Sequence, residues 1–209
     1  MIVDERIITF INSLDTKNSE ILEDIEREAL ADNVPIIRRE MQSFLKVLLM
    51  VKKPMRVLEV GTAVGFSALL MSEYVPEECA ITTIENYEKR IPIARQNFVR
   101  AGKEKKITLL EGDAMDVLKT LEQPYDFIFM DAAKGQYIYY MPEVIRLLEH
   151  GGVLVSDNVL QEGDIIESRF AVERRNRTIH SRMREYLYFL THSERFKTVV
   201  LPVGDGAAL

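Results

Sequence analysis

From residue 55 onward the chain alternates between two periodicities, and that alternation restricts its fold more than any other feature. Short runs rich in β-branched, aromatic and other apolar residues fall at 55–60, 80–85, 106–110, 125–130, 152–156 and 197–203, and helical spacing fills most of the intervals between them. Strands alternating with helices define an α/β protein with a doubly wound, mostly parallel sheet. Ahead of this region, residues 1–53 read as helices. Ile7, Ile8, Ile11 and Leu14 form one stripe, and Ile21, Leu22, Ile25 and Leu30 a second. Beyond Pro35, Met41, Phe44, Leu45, Leu48 and Leu49 form a third. These helices leave two roles open, a substrate lid and a dimer surface. A chain of 209 residues is enough for one such domain, with residues 1–53 as added helices and 54–209 as the Rossmann-like core.

The polar residues fall at the strand ends. Glu59 closes the first run beside Gly61, Glu85 ends the second, and Glu111 and Asp113 follow the third. Asp131 ends the fourth, and Asp157-Asn158 ends the fifth. In an open parallel sheet the carboxyl ends lie along one edge, where ligands bind. The same residues also have ordinary local uses. Asp113 stands where a helix N-cap would stand, and Asp157-Asn158 suits an Asx turn.

The first strand-to-helix turn reads Glu59-Val60-Gly61-Thr62-Ala63-Val64-Gly65-Phe66-Ser67. Gly61 and Gly65 permit a tight turn. A dinucleotide site asks for G-x-G-x-x-G, and Ala63 and Phe66 break that pattern. The acid Glu59 suits a cationic ligand better than a pyrophosphate. S-adenosylmethionine, with a sulfonium and an ammonium group and no phosphate, fits that requirement. Glu85 is then placed to accept hydrogen bonds from ribose hydroxyls, and Asp113 from an adenine amino group. Asp131, Asp157 and Asn158 offer hard oxygen donors suited to Mg²⁺, Mn²⁺ or Ca²⁺.

Composition narrows the setting. No apolar run approaches the roughly 20 residues of a membrane span, and the N-terminus carries no signal-peptide pattern. With Cys79 as the only cysteine, an intramolecular disulfide is excluded. A cytoplasmic protein is expected, with no membrane partner.

The turn at 59–67, the run 127–134 (Phe-Ile-Phe-Met-Asp-Ala-Ala-Lys), the run 155–159 (Val-Ser-Asp-Asn-Val) and 201–206 (Leu-Pro-Val-Gly-Asp-Gly) together resemble the catechol and caffeoyl-CoA O-methyltransferase family. The likeness covers nearly the whole chain. It implies a class I methyltransferase fold with a seven-stranded sheet, adenosylmethionine as methyl donor, a magnesium-type metal and a homodimer. It carries the metal role onto Asp131, Asp157 and Asn158, and the catalytic role onto Lys134 together with Asp131. It assigns the donor pocket to Ile37, Glu59, Gly61, Ser67, Glu85, Asp113, Ala114 and Asp131. Relative to the family, the sequence stops at Leu209, where the last strand should begin.

Residues 169–184 reverse the sign of a chain whose net charge is −6, holding six arginines against one glutamate. Ile179, Met183, Tyr186, Leu187 and Leu190 make an apolar stripe, with Arg174, Arg177 and Arg184 opposite it and Arg175 and Arg182 flanking. Such a face is a solvated helix, a dimer contact or a phosphate-contacting patch. Tyr137, Tyr139 and Tyr140 are candidates to hold an exposed base. With the run 157–163, the segment resembles the bacterial tRNA 5-hydroxyuridine methyltransferases of the same family. Arg174, Arg175, Arg177 and Arg184 are accordingly expected to contact tRNA. A small catechol-like or caffeoyl-CoA-like acceptor is the alternative, and a non-catalytic RNA-binding protein on the same fold is a third reading.

Overall fold

The computed structural model describes residues 2–209. Its strands are β1 Arg56–Val60, β2 Ala80–Glu85, β3 Ile107–Glu111, β4 Tyr125–Met130, β5 Leu148–Ser156, β6 Val200–Leu201 and β7 Ala207–Ala208. They form one sheet in the order β3-β2-β1-β4-β5-β7-β6. β1 to β5 run parallel, and β7 runs antiparallel to both β5 and β6. The helices are α1 Glu5–Ser13, α2 Glu20–Ala31, α3 Arg39–Lys52, α4 Phe66–Tyr74, α5 Ile91–Arg100, α6 Ala114–Thr120, α7 Tyr137–Leu147 and α8 Arg177–His192.

Alternation along the strands builds two cores. Val57, Phe127, Phe129 and Val155 face one layer with residues of α2, α3, α4 and α5. Leu58, Val60, Ile128, Met130 and Leu154 face the other with α7 and α8. A side-chain period of two requires this, and a sheet covered on both faces needs apolar residues at nearly every strand position. The strand order reverses between β1 and β4, which opens a crevice at their carboxyl ends.

Four expectations change. The sixth strand is two residues long instead of spanning 197–203, because Pro202 has no N–H to extend the ladder and Gly204 and Gly206 turn the chain with positive φ. The seventh strand lies inside the chain, where Ala208 pairs with Ser156. The apolar stripe of α1 faces outward: that helix buries no residue, and Ile7, Phe10, Ile11 and Leu14 are exposed. In α2 the inward face is Leu22, Ile25 and Ala29, while Leu30 points to solvent.

Candidate active site

A cavity of about 760 Å³ sits over the β1–β4 crevice, walled by Ile37, Gly61, Ser67, Glu85, Ala114 and Asp131, with Lys134, Asp157 and Asn158 also on its lining. Gly61 is required at its base. Its φ is +107°, and a Cβ there would stand 2.1 Å from the carbonyl oxygen of Asp131. The glycine therefore serves the approach of β1 to β4 as well as that of a ligand.

Glu59 lies beneath the cavity and does not line it, which corrects the expectation of direct contact with a cationic ligand. Its side chain points into the sheet and is fully buried. Ser67 Oγ and Thr83 Oγ1 each donate to it at 2.5 Å, and the Thr62 hydroxyl lies 2.5 Å from that of Thr83. Burial pushes the Glu59 carboxyl up to about 7 against the pull of those two hydroxyls. Glu59 thus orients Ser67 and Thr62, which do reach the cavity.

Glu85 ends β2 at the wall and gathers the neighbouring turns. It accepts from the backbone N–H of Ala63 at 2.7 Å, of Asn86 at 3.0 Å and of Tyr87 at 2.8 Å. A carboxylate has about four acceptor sites, so little of its capacity stays free. Asp113 does not line the cavity. It caps α6 by accepting from Met115 N at 2.9 Å, and only its neighbours Gly112 and Ala114 reach the wall. Glu111 pairs with Arg95 instead.

The three oxygen-bearing residues come together. Asn158 Nδ2 donates to Asp131 Oδ1 at 3.1 Å, and the Asn158 backbone N–H donates to Asp157 Oδ1 at 2.7 Å. The hydroxyl of buried Tyr137 lies 3.2 Å from the carbonyl of Met130 and 3.3 Å from that of Asp157, tying the two strand ends together. Burial raises both carboxyls, and the Asp131 charge helps carry Asp157 to about 7. Asp131 Oδ2, Asp157 Oδ2 and Asn158 Oδ1 receive no hydrogen bond among the described residues. An all-oxygen set with uncommitted lone pairs fits a hard divalent cation.

Lys134 begins a 3₁₀ turn, Lys134–Gln136, and its Nζ lies 3.2 Å from Oδ2 of buried Asp205. The other Asp205 oxygen accepts the backbone N–H of Glu162. Asp205 was not a candidate from sequence, although an acid between two glycines in the run 201–206 marks a turn with a committed side chain. Arg38, Tyr87 and Arg90 are further wall residues that sequence reasoning did not single out.

The arginine segment is less regular than one helix. Arg174 and Arg175 belong to a 3₁₀ turn, and α8 begins at Arg177. Its buried stripe is His180, Met183, Tyr186 and Leu190, with Ile179 exposed in place of the expected core position. None of Arg174, Arg175, Arg177 and Arg184 lines the cavity. Arg177 donates to the carbonyls of Val172 and Phe170, Arg184 to that of Ile165, and Arg182 to that of Gly135 at 3.1 Å. Tyr137 is buried in the core and does not line the cavity, whereas Tyr140, though largely buried, is on the cavity wall. Tyr139 is exposed, with the Arg182 guanidinium 4.9 Å from its ring centre.

A reversed seventh strand, and a cavity with acids over the β1–β4 switch point, define an enzyme of the doubly wound α/β class with its ligand site at the strand ends. Residues 12–209 match the family model described as O-methyltransferase, and the chain belongs to that family. It is 33% identical over 177 residues to caffeoyl-CoA O-methyltransferase 2 of Populus trichocarpa, covering 79% of this chain and 70% of that protein. Against catechol O-methyltransferase of Mycobacterium tuberculosis it is 38% identical over 112 residues, 53% of this chain and 51% of the relative. The crystal structure of the SAH-bound methyltransferase PaMTH1 of Podospora anserina superimposes with a TM-score of 0.88 at 26% identity, covering 98% of this chain and 92% of that one.

Proposed function

We propose that this chain transfers a methyl group from S-adenosylmethionine to a hydroxyl oxygen, that Asp131, Asp157 and Asn158 hold a divalent metal such as Mg²⁺, and that the acceptor is 5-hydroxyuridine at the wobble position of tRNA, yielding 5-methoxyuridine. The donor would occupy the cavity between Ile37, Gly61, Ser67, Glu85 and Ala114. The metal, when bound, would hold the acceptor oxygens and favour loss of the hydroxyl proton. Lys134, fixed by Asp205, either takes that proton or stabilises the oxyanion that remains. The wall residues hold donor and acceptor in line, so that the carbon–oxygen bond forms as the carbon–sulfur bond breaks.

One observation supports RNA as the acceptor. Of the six arginines in 169–184, only Arg175 pairs with a carboxylate, Glu173, among the described residues. Arg177, Arg182 and Arg184 are held by backbone carbonyls, which orient a guanidinium without cancelling its charge. The result is an ordered cationic surface reaching Gly135, next to Lys134. The identity of the relatives favours a second reading, a catechol-like or caffeoyl-CoA-like acceptor. The uncommitted oxygens beside Lys134 count against a non-catalytic RNA-binding protein.

The test is methyl transfer from labelled adenosylmethionine, with Mg²⁺, to tRNA lacking 5-methoxyuridine, beside a catechol. Label in tRNA that disappears with EDTA is the expected result. Label in the catechol alone would remove the RNA acceptor and leave the methyl transfer. Binding of tRNA without label in either would point to the non-catalytic protein.

A further inference from the structure

We infer that a second cleft, on the side of α8 turned toward residues 165–169, binds a phosphate group of the acceptor. The cleft has a volume of about 450 Å³ and is lined by Glu167, Ser168, Arg169, His180, Ser181 and Arg184. It is separate from the larger cavity, with which it shares no residue.

Its donors are largely uncommitted. Arg169 is exposed, and no described carboxylate pairs with it. Arg184 uses Nη1 on the Ile165 carbonyl at 3.0 Å, which fixes the side chain and leaves Nη2 and Nε free. Ser168 Oγ accepts from Phe170 N at 3.1 Å, so its own hydrogen remains to be given. Ser181 is different, since its hydrogen goes to the Arg177 carbonyl. His180 is 2% exposed, with Nε2 3.1 Å from the Glu167 carbonyl and Nδ1 buried without a partner. That nitrogen is the one buried, unpartnered side-chain atom of α8 among the described residues. Glu167 is the only acid on the lining, and the two arginines outnumber it. Two guanidinium forks and a serine hydroxyl on one lining suit the tetrahedral oxygens of a phosphate.

The position gives the cleft a use. Arg182, on the neighbouring side of α8, reaches Gly135 beside Lys134, whereas Ser181 and Arg184 turn to the cleft. An α-helix with its side chains is about 10–12 Å across. An acceptor whose phosphate reaches across α8 from its reactive hydroxyl would be held at both points. The inference rests on the acceptor reading above only for the owner of the phosphate, an RNA backbone or a nucleotide handle such as that of coenzyme A.

The experiment is fluorescence anisotropy on the full chain, with a labelled RNA hairpin of anticodon-stem-loop size and, separately, adenosine 3′,5′-bisphosphate. The variants are Arg169→Glu, in which no intramolecular pair is lost, and Arg184→Lys, which keeps the charge and loses the fork. Adenosylhomocysteine affinity serves as the check on folding and is expected to stay unchanged. For Arg169→Glu we expect at least about tenfold weaker RNA binding and a shallower salt dependence by about one contact. If wild type ignores RNA but binds the bisphosphate through Arg169, the cleft stands, its ligand is a small nucleotide and the RNA reading fails. If RNA is bound and methylated equally by wild type and both variants, the cleft is overturned and the RNA reading stands. If wild type binds neither ligand, both are overturned.

Discussion

The strand-end cavity and the arginine surface of residues 169–184 solve opposite electrostatic problems. In and beneath the cavity, most acid oxygens are tied: those of buried Glu59 to two hydroxyls, those of Glu85 to three backbone N–H groups. Only the Asp131, Asp157 and Asn158 trio keeps oxygens uncommitted. On the surface, guanidinium groups are tied to carbonyls and retain their charge. The difference teaches that the reaction is built on strand ends, where position is fixed by the sheet. On the proposed reading, acceptor choice is left to a helix and loops that can vary without disturbing it.

The comparison breaks most sharply at the trio. Asp157→Ala should lower methyl transfer by at least about a hundredfold while leaving adenosylhomocysteine affinity nearly intact. Equal loss of both would show that Asp157 acts in folding or donor binding instead.

Next in size is a pH effect in the lower layer. The Glu59 carboxyl stands at about 7 in the folded protein against 4.5 as the ordinary value. Between those values the folded state holds a proton that the unfolded chain has lost. Stability therefore falls as pH rises from 4.5 to 7 and levels off above, by about 3 kcal/mol at 1.36 kcal/mol per unit. Urea melts of wild type and Glu59→Gln across that range isolate the contribution, since the variant lacks the titrating group. Parallel curves would remove it.

Asp205→Asn comes third. It weakens the hold on Lys134 and should lower kcat about tenfold or more, with a shifted pH profile, while KM for the donor moves little. Rescue by Asp205→Glu would point to charge, and a pH profile identical to wild type would leave Asp205 a structural role only.

The smallest effect is expected on the surface. Arg177→Ala loses two carbonyl contacts and one charge of several, and RNA binding should weaken only about threefold. A catechol acceptor, if used, should be methylated at the wild-type rate. A larger loss for catechol would mean that Arg177 orders the active-site loops themselves.

Much of this was legible in the chain. The runs at 80–85 and 125–130 coincide with β2 and β4, because clusters of β-branched or aromatic residues bounded by polar turns mark a strand. Asp131 and the pair Asp157-Asn158 were legible because they stand at the carboxyl ends of such runs. On the arginine face, the 3₁₀ turn at 174–176 takes Arg174 and Arg175 out of the helical phase, while Met183, Tyr186 and Leu190 are buried as the stripe predicts and Ile179 is exposed. α1 was read as amphipathic, which it is, but amphipathicity does not say whether the apolar face meets the core or is left outside.

The sequence by itself determined the order of elements and the set of acids at the strand ends, since both follow from local periodicity and chain direction. Only the tertiary structure decided which of those acids face the ligand. Strand pleat and twist sent Glu59 under the cavity and Glu111 toward Arg95, turn geometry spent Asp113 on a helix cap, and the reversed β6–β7 turn brought Asp205 to Lys134 from 71 residues away. A side chain's direction depends on the neighbours its backbone meets, and those neighbours are distant in sequence.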